Sequence, residues 1–276
     1  MTRVALLQMC SGIDPDANLA TIRDAAHAAR DGGAAMLFTP EMSLLLDRNR
    51  ARSAPHIVSQ DESNIVRSLA SLAAEAGLEI AIGSMAVAVP GGKAANRAMV
   101  FAPGREAPTT YDKIHMFDVD LATGESWRES NAYQPGSAVV TVEDTAVGRL
   151  GLTICYDIRF PALFQELGRR KCDVIAIPAA FTVPTGQAHW HVLQRARAIE
   201  ASAFVISAAQ VGEHEDGRKT YGHSLVIDPW GEVLLDMGGE APGLGFADID
   251  PGRIAEVRAQ LPSLANRREI PNQARP

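Results

Sequence analysis

Short apolar runs rich in β-branched residues alternate with helical segments from the start of the chain, and this alternation limits the fold most. Strands are predicted over residues 4–9, 35–39 and 79–89. The first helix begins at Asp14-Pro15, an N-cap followed by proline at the first helical position, and ends at Gly32-Gly33. A second helix is predicted over about residues 62–76. Strands joined through a helix, twice in succession, indicate an α/β layer architecture.

The second half of the chain has more strands and longer connections. Predicted strands cover residues 97–102, 138–143, 149–155, 174–178, 205–210 and 224–228, and predicted helices cover 161–170, about 188–202 and 251–260. The polar stretch 112–136 is predicted to be one long functional loop. Continuously apolar runs such as VIAIP and FVISAA indicate strands covered on both faces, which suits either a sheet-on-sheet sandwich or a doubly wound sheet. One domain over residues 1–276 is expected, with a polar tail from about 262.

Charge and cysteine usage exclude several classes of function. The formal charge of 26 − 33 = −7 argues against nucleic acid or anionic membranes as general partners. Three cysteines without a Cys-x-x-Cys pair form neither a disulfide framework nor a zinc or redox site. No apolar run approaches the roughly 18 residues of a membrane span, and the apolar start is too short for a signal sequence. Free thiols suit a reducing cytoplasm, and neither a metal nor a cofactor is expected.

Cys155 is the candidate nucleophile. It ends the strand Gly-Leu-Thr-Ile-Cys and precedes a helix that begins near Pro161. Such a turn exposes a side chain at a sheet edge and directs it to a helix N-terminus, where the helix dipole favours the thiolate needed for acyl transfer. The alternative is a small buried hydrophobic residue, which is the usual role of a free cysteine. Cys10 and Cys172 are assigned to packing.

Two charged side chains are candidates to assist such a nucleophile. Glu41 follows Phe-Thr-Pro at the end of an apolar strand, on the rim where active sites of α/β proteins form. Burial there would raise its pKa and suit it to general-base catalysis. Lys113, in Tyr-Asp-Lys-Ile-His, could lower the thiol pKa and stabilise an oxyanion. Taken singly, either residue is as readily a solvated surface charge.

Three motifs follow one another in a fixed order: Phe-Thr-Pro-Glu-Met, Tyr-Asp-Lys-Ile-His, and Leu-Thr-Ile-Cys-Tyr-Asp-Ile-Arg-Phe-Pro. Together they resemble the nitrilase superfamily of carbon–nitrogen hydrolases, whose catalytic Glu, Lys and Cys occupy these contexts. The resemblance covers nearly the whole chain and continues through Gly-Gln-Ala-His-Trp and Tyr-Gly-His-Ser-Leu-Val-Ile-Asp-Pro-Trp-Gly. It implies a four-layer αββα sandwich that pairs into an eight-layer homodimer.

The resemblance also implies a mechanism for hydrolysing the terminal carboxamide of a small carboxylate-bearing substrate. Glu41 takes the thiol proton of Cys155, which attacks the amide carbon, while Lys113 and the backbone N–H of Tyr156 stabilise the oxyanion. Ammonia leaves with a proton relayed from the glutamate, and water hydrolyses the thioester. Glu129 matches a second glutamate that holds the lysine in this family. The alternative for Glu129 is a solvated loop acid.

The residues after the nucleophile favour an amidase branch acting on carboxylate-bearing substrates. Tyr156-Asp157 stands where true nitrilases carry Trp-Glu. A guanidinium suits a carboxylate, so Arg159 is the expected anchor, unless it forms a structural ion pair with Asp157 or another acid. Phe181 and Thr185 are the further substrate-binding candidates.

The motifs are most similar to the deaminated glutathione amidase branch. Alternatives within the family are an ω-amidase acting on α-ketoglutaramate and an N-carbamoyl amino acid amidohydrolase. A catalytically silent scaffold is the alternative from another class, and the complete set of Glu41, Lys113 and Cys155 argues against it. His115 is expected to be a structural hydrogen-bonding residue. His-Trp-His at 189–191 places its histidines on different helix faces, which argues against a metal site there.

Overall fold

Two six-stranded sheets form the centre of the molecule, which is described by a computed structural model covering residues 1–120, 124 and 126–268. The first eight strands in chain order are β1 Thr2–Gln8, β2 Met36–Phe38, β3 Glu79–Ala88, β4 Ala94–Phe101, β5 Thr109–Asp112, β6 Asp118–Asp120, β7 Ser126–Arg128 and β8 Thr141–Thr145. The next eight are β9 Gly148–Leu152, β10 Val174–Ala176, β11 Phe204–Ser207, β12 Val211–Glu213, β13 Lys219–Tyr221, β14 Leu225–Ile227, β15 Val233–Asp236 and β16 Gly243–Ile249.

Helices occupy the connections between these strands. The α-helices are α1 Pro15–Asp31, α2 Arg50–Ser53, α3 Asn64–Ala76, α4 Pro161–Arg169, α5 Val183–Ala201, α6 Pro251–Gln260 and α7 Ser263–Asn266. Short 3-10 helices cover Ala54–His56, Glu129–Asn131 and Cys155–Arg159. Among the described residues, no helix is both long enough and apolar enough to cross a membrane.

Each large sheet has a parallel centre and antiparallel flanks. The strand order is β16-β1-β2-β3-β4-β5 in the first sheet and β15-β14-β11-β10-β9-β8 in the second. Strands β1, β2 and β3 run parallel, as do β9, β10 and β11. The carboxyl ends of parallel strands share one edge of a sheet, and residues that follow these strands can therefore converge.

The side chains of β1 identify the layers. Val4 and Leu6 belong to a buried cluster that includes Ile175 and Ile206 of the second sheet. The intervening Ala5 and Leu7 belong to another cluster, formed with α1 and α3. Since alternate residues of a strand point to opposite faces, one face of the first sheet packs on the second sheet and the other packs on helices. α4 and α5 cover the outer face of the second sheet. The expected αββα sandwich is confirmed, and a doubly wound single sheet is excluded.

Two local expectations were wrong, and one strand was missed. Residues 112–136 are not one loop, because β6 and β7 pair there as a short antiparallel hairpin. α5 begins at Val183 rather than near 188, with proline in its first turn, where a missing N–H costs no helical hydrogen bond. β16, which pairs antiparallel with all of β1, was not predicted, because its two glycines weaken the strand pattern. α7 lies in the expected polar tail, and residues 269–276 lie outside the described part of the chain.

Candidate active site

Loops at the ends of three strands bring the predicted catalytic side chains together. Glu41 follows β2, Lys113 follows β5 directly, and Cys155 follows β9. The first two belong to one sheet and the third to the other, so the site lies where the two sheets face each other. All three side chains are buried, and all three line one cavity of about 830 Å³.

Cys155 occupies a strained backbone position. Its φ is +45°, in the left-handed region that non-glycine residues rarely adopt. Its N–H donates to the carbonyl of Pro178 at 2.8 Å, and the residue begins the 3-10 helix Cys155–Arg159. The next residue, Tyr156, contributes one of the first N–H groups of that helix, which have no acceptor within it. Such strain at a cavity wall is typical of functional sites, where it fixes a side chain in an unusual direction.

Asp157 holds the nucleophile loop in this conformation. The carboxylate is fully buried and accepts hydrogen bonds from the Tyr111 hydroxyl at 2.6 Å and from the Ile154 N–H at 2.9 Å. Its other oxygen accepts from the N–H of His115 at 3.1 Å and pairs with the His115 ring at 2.7 Å. The strand that leads to Lys113 and the loop that carries Cys155 are therefore joined by one carboxylate. This agrees with the structural role expected for His115.

A bulge in β3 supports the Glu41 loop. The pairing of β3 with β4 shifts register between Ile82 and Met85, and the Ser84 hydroxyl there accepts the N–H of Met42 at 2.9 Å. A side chain at Gly83 would overlap the carbonyl oxygen of Thr39 at 2.2 Å, so only glycine allows this close approach. Bulges next to active sites commonly redirect side chains in this way.

The charged groups form one network around the Lys113 amine. Its Nζ donates to Glu41 Oε1 at 2.9 Å and to the two oxygens of Glu129 at 3.0 and 2.9 Å. Asn96 Nδ2 bridges the same two carboxylates at 3.0 and 3.1 Å. The second oxygen of Glu41 accepts from the N–H of Ala180 at 2.9 Å. One buried ammonium thus lies between two carboxylates, and the structure brings Glu129 into the network rather than leaving it in solvent.

The pKa shifts follow from this network. For Glu41, burial alone would raise the pKa, but the charge and hydrogen bond of Lys113 hold it below the usual glutamate range. Burial would lower the pKa of Lys113, but Glu129 and Glu41 raise it well above its usual value. Burial and then the charge of Glu41 raise the pKa of the Cys155 thiol, against the opposing effect of Lys113. The resting state is therefore a carboxylate, an ammonium and a neutral thiol.

Two expectations about ionisation are corrected by these shifts. The pKa of Glu41 was expected to rise on burial, and it falls because a buried lysine lies 2.9 Å away. Cys155 was expected to be a thiolate stabilised by a helix N-terminus, but burial and the adjacent carboxylate favour the thiol. A neutral thiol beside an ionised carboxylate requires a general base, and Glu41 is placed to act as one. Cys10, assigned to packing, is exposed, whereas Cys172 is buried.

The substrate-binding candidates fall into two groups. Phe181 and Thr185 line the cavity together with Tyr156. Arg159 is not among the lining residues: its guanidinium lies over the Tyr156 and Phe181 rings, 5.9 and 5.4 Å from their centroids, and contacts His189 at 3.4 Å. Arg159 therefore packs on residues that line the cavity, and within the described residues it forms no ion pair with Asp157.

Sequence reasoning missed two residues of the site. Asn96 lies within a strand that reads as core, and nothing in the surrounding sequence distinguishes it. Asp157 lies inside the nucleophile motif and was considered only as a partner for Arg159, whereas it bonds to the nucleophile loop itself. Its place two residues after the cysteine was the available signal.

One group of described residues could hold a metal ion. Atoms of His191, His223 and Asp236 lie within 4.8 Å of one another, and Asp236 is hydrogen-bonded to both histidines at 3.0 and 2.9 Å. None of the three lines the cavity. The group joins α5 to β15 across the surface, and its mutual hydrogen bonds account for its geometry.

The protonation states predict a broad pH plateau of kcat/KM. A carboxylate with a lowered pKa stays ionised until the pH falls below the usual glutamate range, and an ammonium with a raised pKa stays charged well into alkaline solution. We therefore expect kcat/KM to be flat from about pH 5.5 to 9. An inflection near pH 6.5 at constant ionic strength would instead indicate that a histidine titrates in the mechanism.

Comparisons with known proteins agree with this geometry. The family model described as carbon-nitrogen hydrolase matches residues 3–259. A deaminated glutathione amidase from Yersinia enterocolitica is 39% identical over 273 residues, which are 97% of this chain and 93% of that protein. The Caenorhabditis elegans NitFhit protein superimposes with a TM-score of 0.88 at 30% identity over 97% of this chain; the chain spans 65% of that longer protein. A mutant amidase from Nesterenkonia sp. AN1, with acrylamide added to its active-site cysteine, superimposes with a TM-score of 0.77 at 26% identity over 95% of this chain and 98% of that one.

Proposed function

The chain belongs to the carbon–nitrogen hydrolase family, and on this premise we propose that it hydrolyses carboxylate-bearing amides through a thioester on Cys155. The observation that carries the proposal is the buried Lys113 ammonium held between Glu41 and Glu129 beside a neutral thiol. A buried ion network of this kind is costly unless each partner is satisfied, and it supplies both a base and a fixed positive charge.

In the acylation half of the reaction, Glu41 accepts the thiol proton as the Cys155 sulfur forms a bond to the amide carbon. The negative charge that develops on the carbonyl oxygen is stabilised by the Lys113 ammonium and by the N–H of Tyr156. The tetrahedral intermediate collapses when Glu41 returns the proton to the amide nitrogen. The C–N bond then breaks, the amine leaves, and a thioester remains on the enzyme.

Deacylation repeats the same proton movements with water. Glu41, again ionised, takes a proton from a water molecule whose oxygen attacks the thioester carbon. Lys113 and the Tyr156 N–H stabilise the second oxyanion. The C–S bond breaks, the carboxylic acid leaves, and Glu41 returns its proton to the Cys155 sulfur. Glu129 holds the Lys113 ammonium in place throughout and takes no proton.

Deaminated glutathione is the proposed substrate. The curated relatives that bear this name match nearly the whole chain, and the cavity of about 830 Å³ is in the range that drug-sized ligands occupy. Hydrolysis of the amide next to the keto-acid portion gives α-ketoglutarate and cysteinylglycine, so the leaving amine is a dipeptide rather than ammonia. An ω-amidase activity on α-ketoglutaramate is the second candidate. The same catalytic network favours it, but the size of the cavity does not.

A substrate panel tests this proposal. We expect kcat/KM for deaminated glutathione to exceed that for α-ketoglutaramate by about tenfold or more, since the larger substrate gains at least one further charged contact. N-carbamoyl amino acids and simple nitriles should be poor substrates. Mass spectrometry of the products follows all of these reactions, including those that release no ammonia. Purified enzyme that turned over no amide would favour a scaffold role instead.

Arg159 remains the proposed partner of the carboxylate in the keto-acid portion. Its guanidinium lies against two rings that line the cavity close to the nucleophile, and a planar guanidinium suits a carboxylate. If it binds this carboxylate, Arg159→Lys raises KM for charged substrates more than it lowers kcat. Equal losses on neutral amides would assign Arg159 to support of the nucleophile loop.

The chain is also proposed to form a homodimer in a reducing compartment such as the cytoplasm. Exposed apolar side chains, Val192 and Ile199 of α5 with Trp230 and Leu234 of the adjacent hairpin, would be covered by a partner. All three cysteines are free, as a reducing compartment requires. Sedimentation equilibrium and cell fractionation measure the two properties directly.

A further inference from the structure

The rim of the cavity is cationic, although the whole chain has a net charge of −7. Apart from the catalytic network, the charged lining among the described residues contains one carboxylate, Asp47, and five cations: Arg48, Arg50, Lys93, Arg128 and Arg218. Asp47 is already paired with Arg52, whose Nε lies 2.6 Å from its Oδ2. Arg128 is likewise paired with Asp120 at 2.7 Å, which leaves four lining cations outside these two pairs. A cationic rim on an acidic protein attracts an anionic ligand.

Two of these arginines are held against one aromatic ring. The guanidinium carbons of Arg48 and Arg218 lie 5.4 and 5.1 Å from the centroid of Trp127, which is within the range of cation–π contacts. The buried Asp216 carboxylate accepts from Arg218 Nη2 at 2.9 Å and from the backbone N–H of Arg48 at 2.9 Å. Two arginines thus share one close carboxylate.

The same cluster contains donors that lack acceptors. In the part of the chain that the structure describes, Trp127 Nε1 and Arg218 Nε are buried and form no hydrogen bond. Buried donors in native proteins are almost always paired, so the cluster does not satisfy itself. These two atoms are closed to solvent, and the groups that a ligand can reach are the exposed parts of the Arg48 and Arg218 guanidinium groups. The nearest carboxylate oxygen to the Arg48 guanidinium is 3.8 Å from its Nε, longer than a hydrogen bond. A ligand carboxylate offers the planar pair of acceptors that suits a guanidinium.

A row of aromatic rings connects this cluster to the nucleophile. The Trp127 ring centroid lies 6.3 Å from that of Phe117, which lies 5.1 Å from that of Tyr156, the neighbour of Cys155. All three rings line the cavity. Arg159 contacts the Tyr156 end of the row, and the arginine pair contacts the Trp127 end. The arginine pair is therefore placed for a charge that is remote from the scissile bond.

We propose that Arg48 and Arg218, held on Trp127, bind a carboxylate carried by the leaving amine, so that the preferred substrates are amides whose amine portion ends in a carboxylate, as a dipeptide does. This inference rests on the proposed function and deepens it. In deaminated glutathione the ligand is the glycine carboxylate, which is farther from the scissile amide than the keto-acid carboxylate. α-Ketoglutaramate has no such group, because its leaving amine is ammonia.

A double-mutant cycle, in which one change is made in the enzyme and the other in the substrate, tests the contact between Arg218 and the remote carboxylate. The kcat/KM values of wild type and Arg218→Gln are measured for deaminated glutathione and for its C-terminal glycinamide analogue. We expect the wild-type kcat/KM to be about tenfold to a hundredfold higher for the acid than for the glycinamide, which is the range for a charged hydrogen bond. Arg218→Gln should lower kcat/KM for the acid by the same factor, through a higher KM. The variant should change the glycinamide and α-ketoglutaramate by less than about threefold, because neither carries the remote carboxylate.

Two controls keep the test interpretable. Lys93→Gln removes another cation of the cavity lining, whose Nζ donates to the Ser130 carbonyl at 2.8 Å. It should weaken the acid relative to the glycinamide by less than about threefold, and this difference should disappear at high salt, as expected for general attraction without a direct contact. Arg48→Gln serves if Arg218→Gln does not fold, since Arg48 has a half-exposed side chain. Equal losses on acid and glycinamide in the arginine variants, or a wild type indifferent to amidation, overturn the proposal.

Failure of the proposed function has a different signature. If wild type hydrolyses neither compound, the proposed amidase function is wrong. A binding measurement then tests whether Arg48 and Arg218 bind the remote carboxylate. Calorimetry on the Cys155→Ala background compares the acid with the glycinamide, with and without Arg218→Gln. A preference for the acid that disappears with Arg218→Gln supports the site, and equal affinities overturn it.

Discussion

Replacing Cys155 with alanine is expected to lower kcat by about a millionfold, the scale seen when a covalent nucleophile is removed from a hydrolase. The variant keeps Glu41 and Lys113 but has no atom that can carry the acyl group. Its fold should survive, because one sulfur atom is lost at a cavity wall and alanine meets the same φ of +45° as the cysteine does. Steady-state rates and thermal melts of the purified variant measure the two effects separately.

Cys172→Ala is the matched control for this loss. It removes a sulfur from the buried core of the second sheet, so it should lower the melting temperature while kcat stays near the wild-type value. Intact-mass measurement during turnover should detect an acyl adduct in wild type and in Cys172→Ala, and none in Cys155→Ala. Activity of a few per cent in Cys155→Ala would exclude a thioester at this residue.

The order in which the cysteines are alkylated is a poor test of the nucleophile, although the sequence predicts a reactive thiolate at Cys155. Cys155 is buried and its pKa is raised. Cys10 is exposed to solvent, and the partial burial of its sulfur and then the charge of Glu215 raise its pKa as well. Iodoacetamide can therefore reach Cys10 first without saying anything about catalysis. A Cys10→Ala background removes this ambiguity, and loss of activity rather than order of labelling then reports on Cys155.

The layer architecture follows from the sequence because its signals are local and repeated. The N-cap at Asp14, proline at 15 and glycines at 32–33 define α1 almost to the residue. Apolar runs define the centres of the parallel strands. These runs do not specify which face of a strand packs on which layer, because a strand covered on both faces is apolar throughout. The choice between a sandwich and a doubly wound sheet therefore came from the family resemblance and was confirmed by the structure.

Long-range partners of the site are less predictable. Asp157 bonds to Tyr111 and His115, more than forty residues earlier in the chain, and no local pattern encodes such a contact. The Asn96 bridge between the carboxylates of Glu41 and Glu129 likewise joins residues that are far apart in the chain. The β3 bulge that supports the Glu41 loop depends on one glycine whose neighbours come from the segments that follow β2 and β10. These features depend on how the sheets face each other, which sequence patterns do not specify.

The ionisation states of the catalytic groups show most clearly that long-range contacts cannot be predicted from local sequence patterns. Burial of Glu41 was predictable from its place at a strand end, and burial alone raises the pKa of a carboxyl group. The sign is reversed by Lys113, whose amine arrives from another strand at 2.9 Å. The direction of the shift therefore depends on a contact between residues that follow β2 and β5 of the first sheet, two strands that are not neighbours in it.

Glu41→Gln separates the charge of this residue from its shape. We expect kcat to fall by about 10²- to 10⁴-fold, the usual contribution of a general acid–base residue. Glutamine has one acceptor oxygen, whereas Glu41 accepts from Lys113 and Asn96 on one oxygen and from the Ala180 N–H on the other. At least one donor therefore loses its partner, at a cost of about 1–3 kcal/mol in the free energy of unfolding.

The same variant should make Cys155 more reactive toward a simple alkylating agent while amide hydrolysis fails. The charge of Glu41 raises the thiol pKa, so removing that charge lowers the pKa and increases the thiolate fraction at neutral pH, with Lys113 still present. Glu129→Gln is the matched control: it removes the same charge from the lysine network, but the charge and the hydrogen bond that chiefly raise the thiol pKa, after burial, belong to Glu41. On a Cys10→Ala background, iodoacetamide should therefore inactivate Glu41→Gln faster than Glu129→Gln. If Glu41→Gln keeps near-wild-type kcat, or if His115→Ala is equally inactive with an unchanged melting temperature, the base is another group and the carboxylate at 41 only holds the lysine.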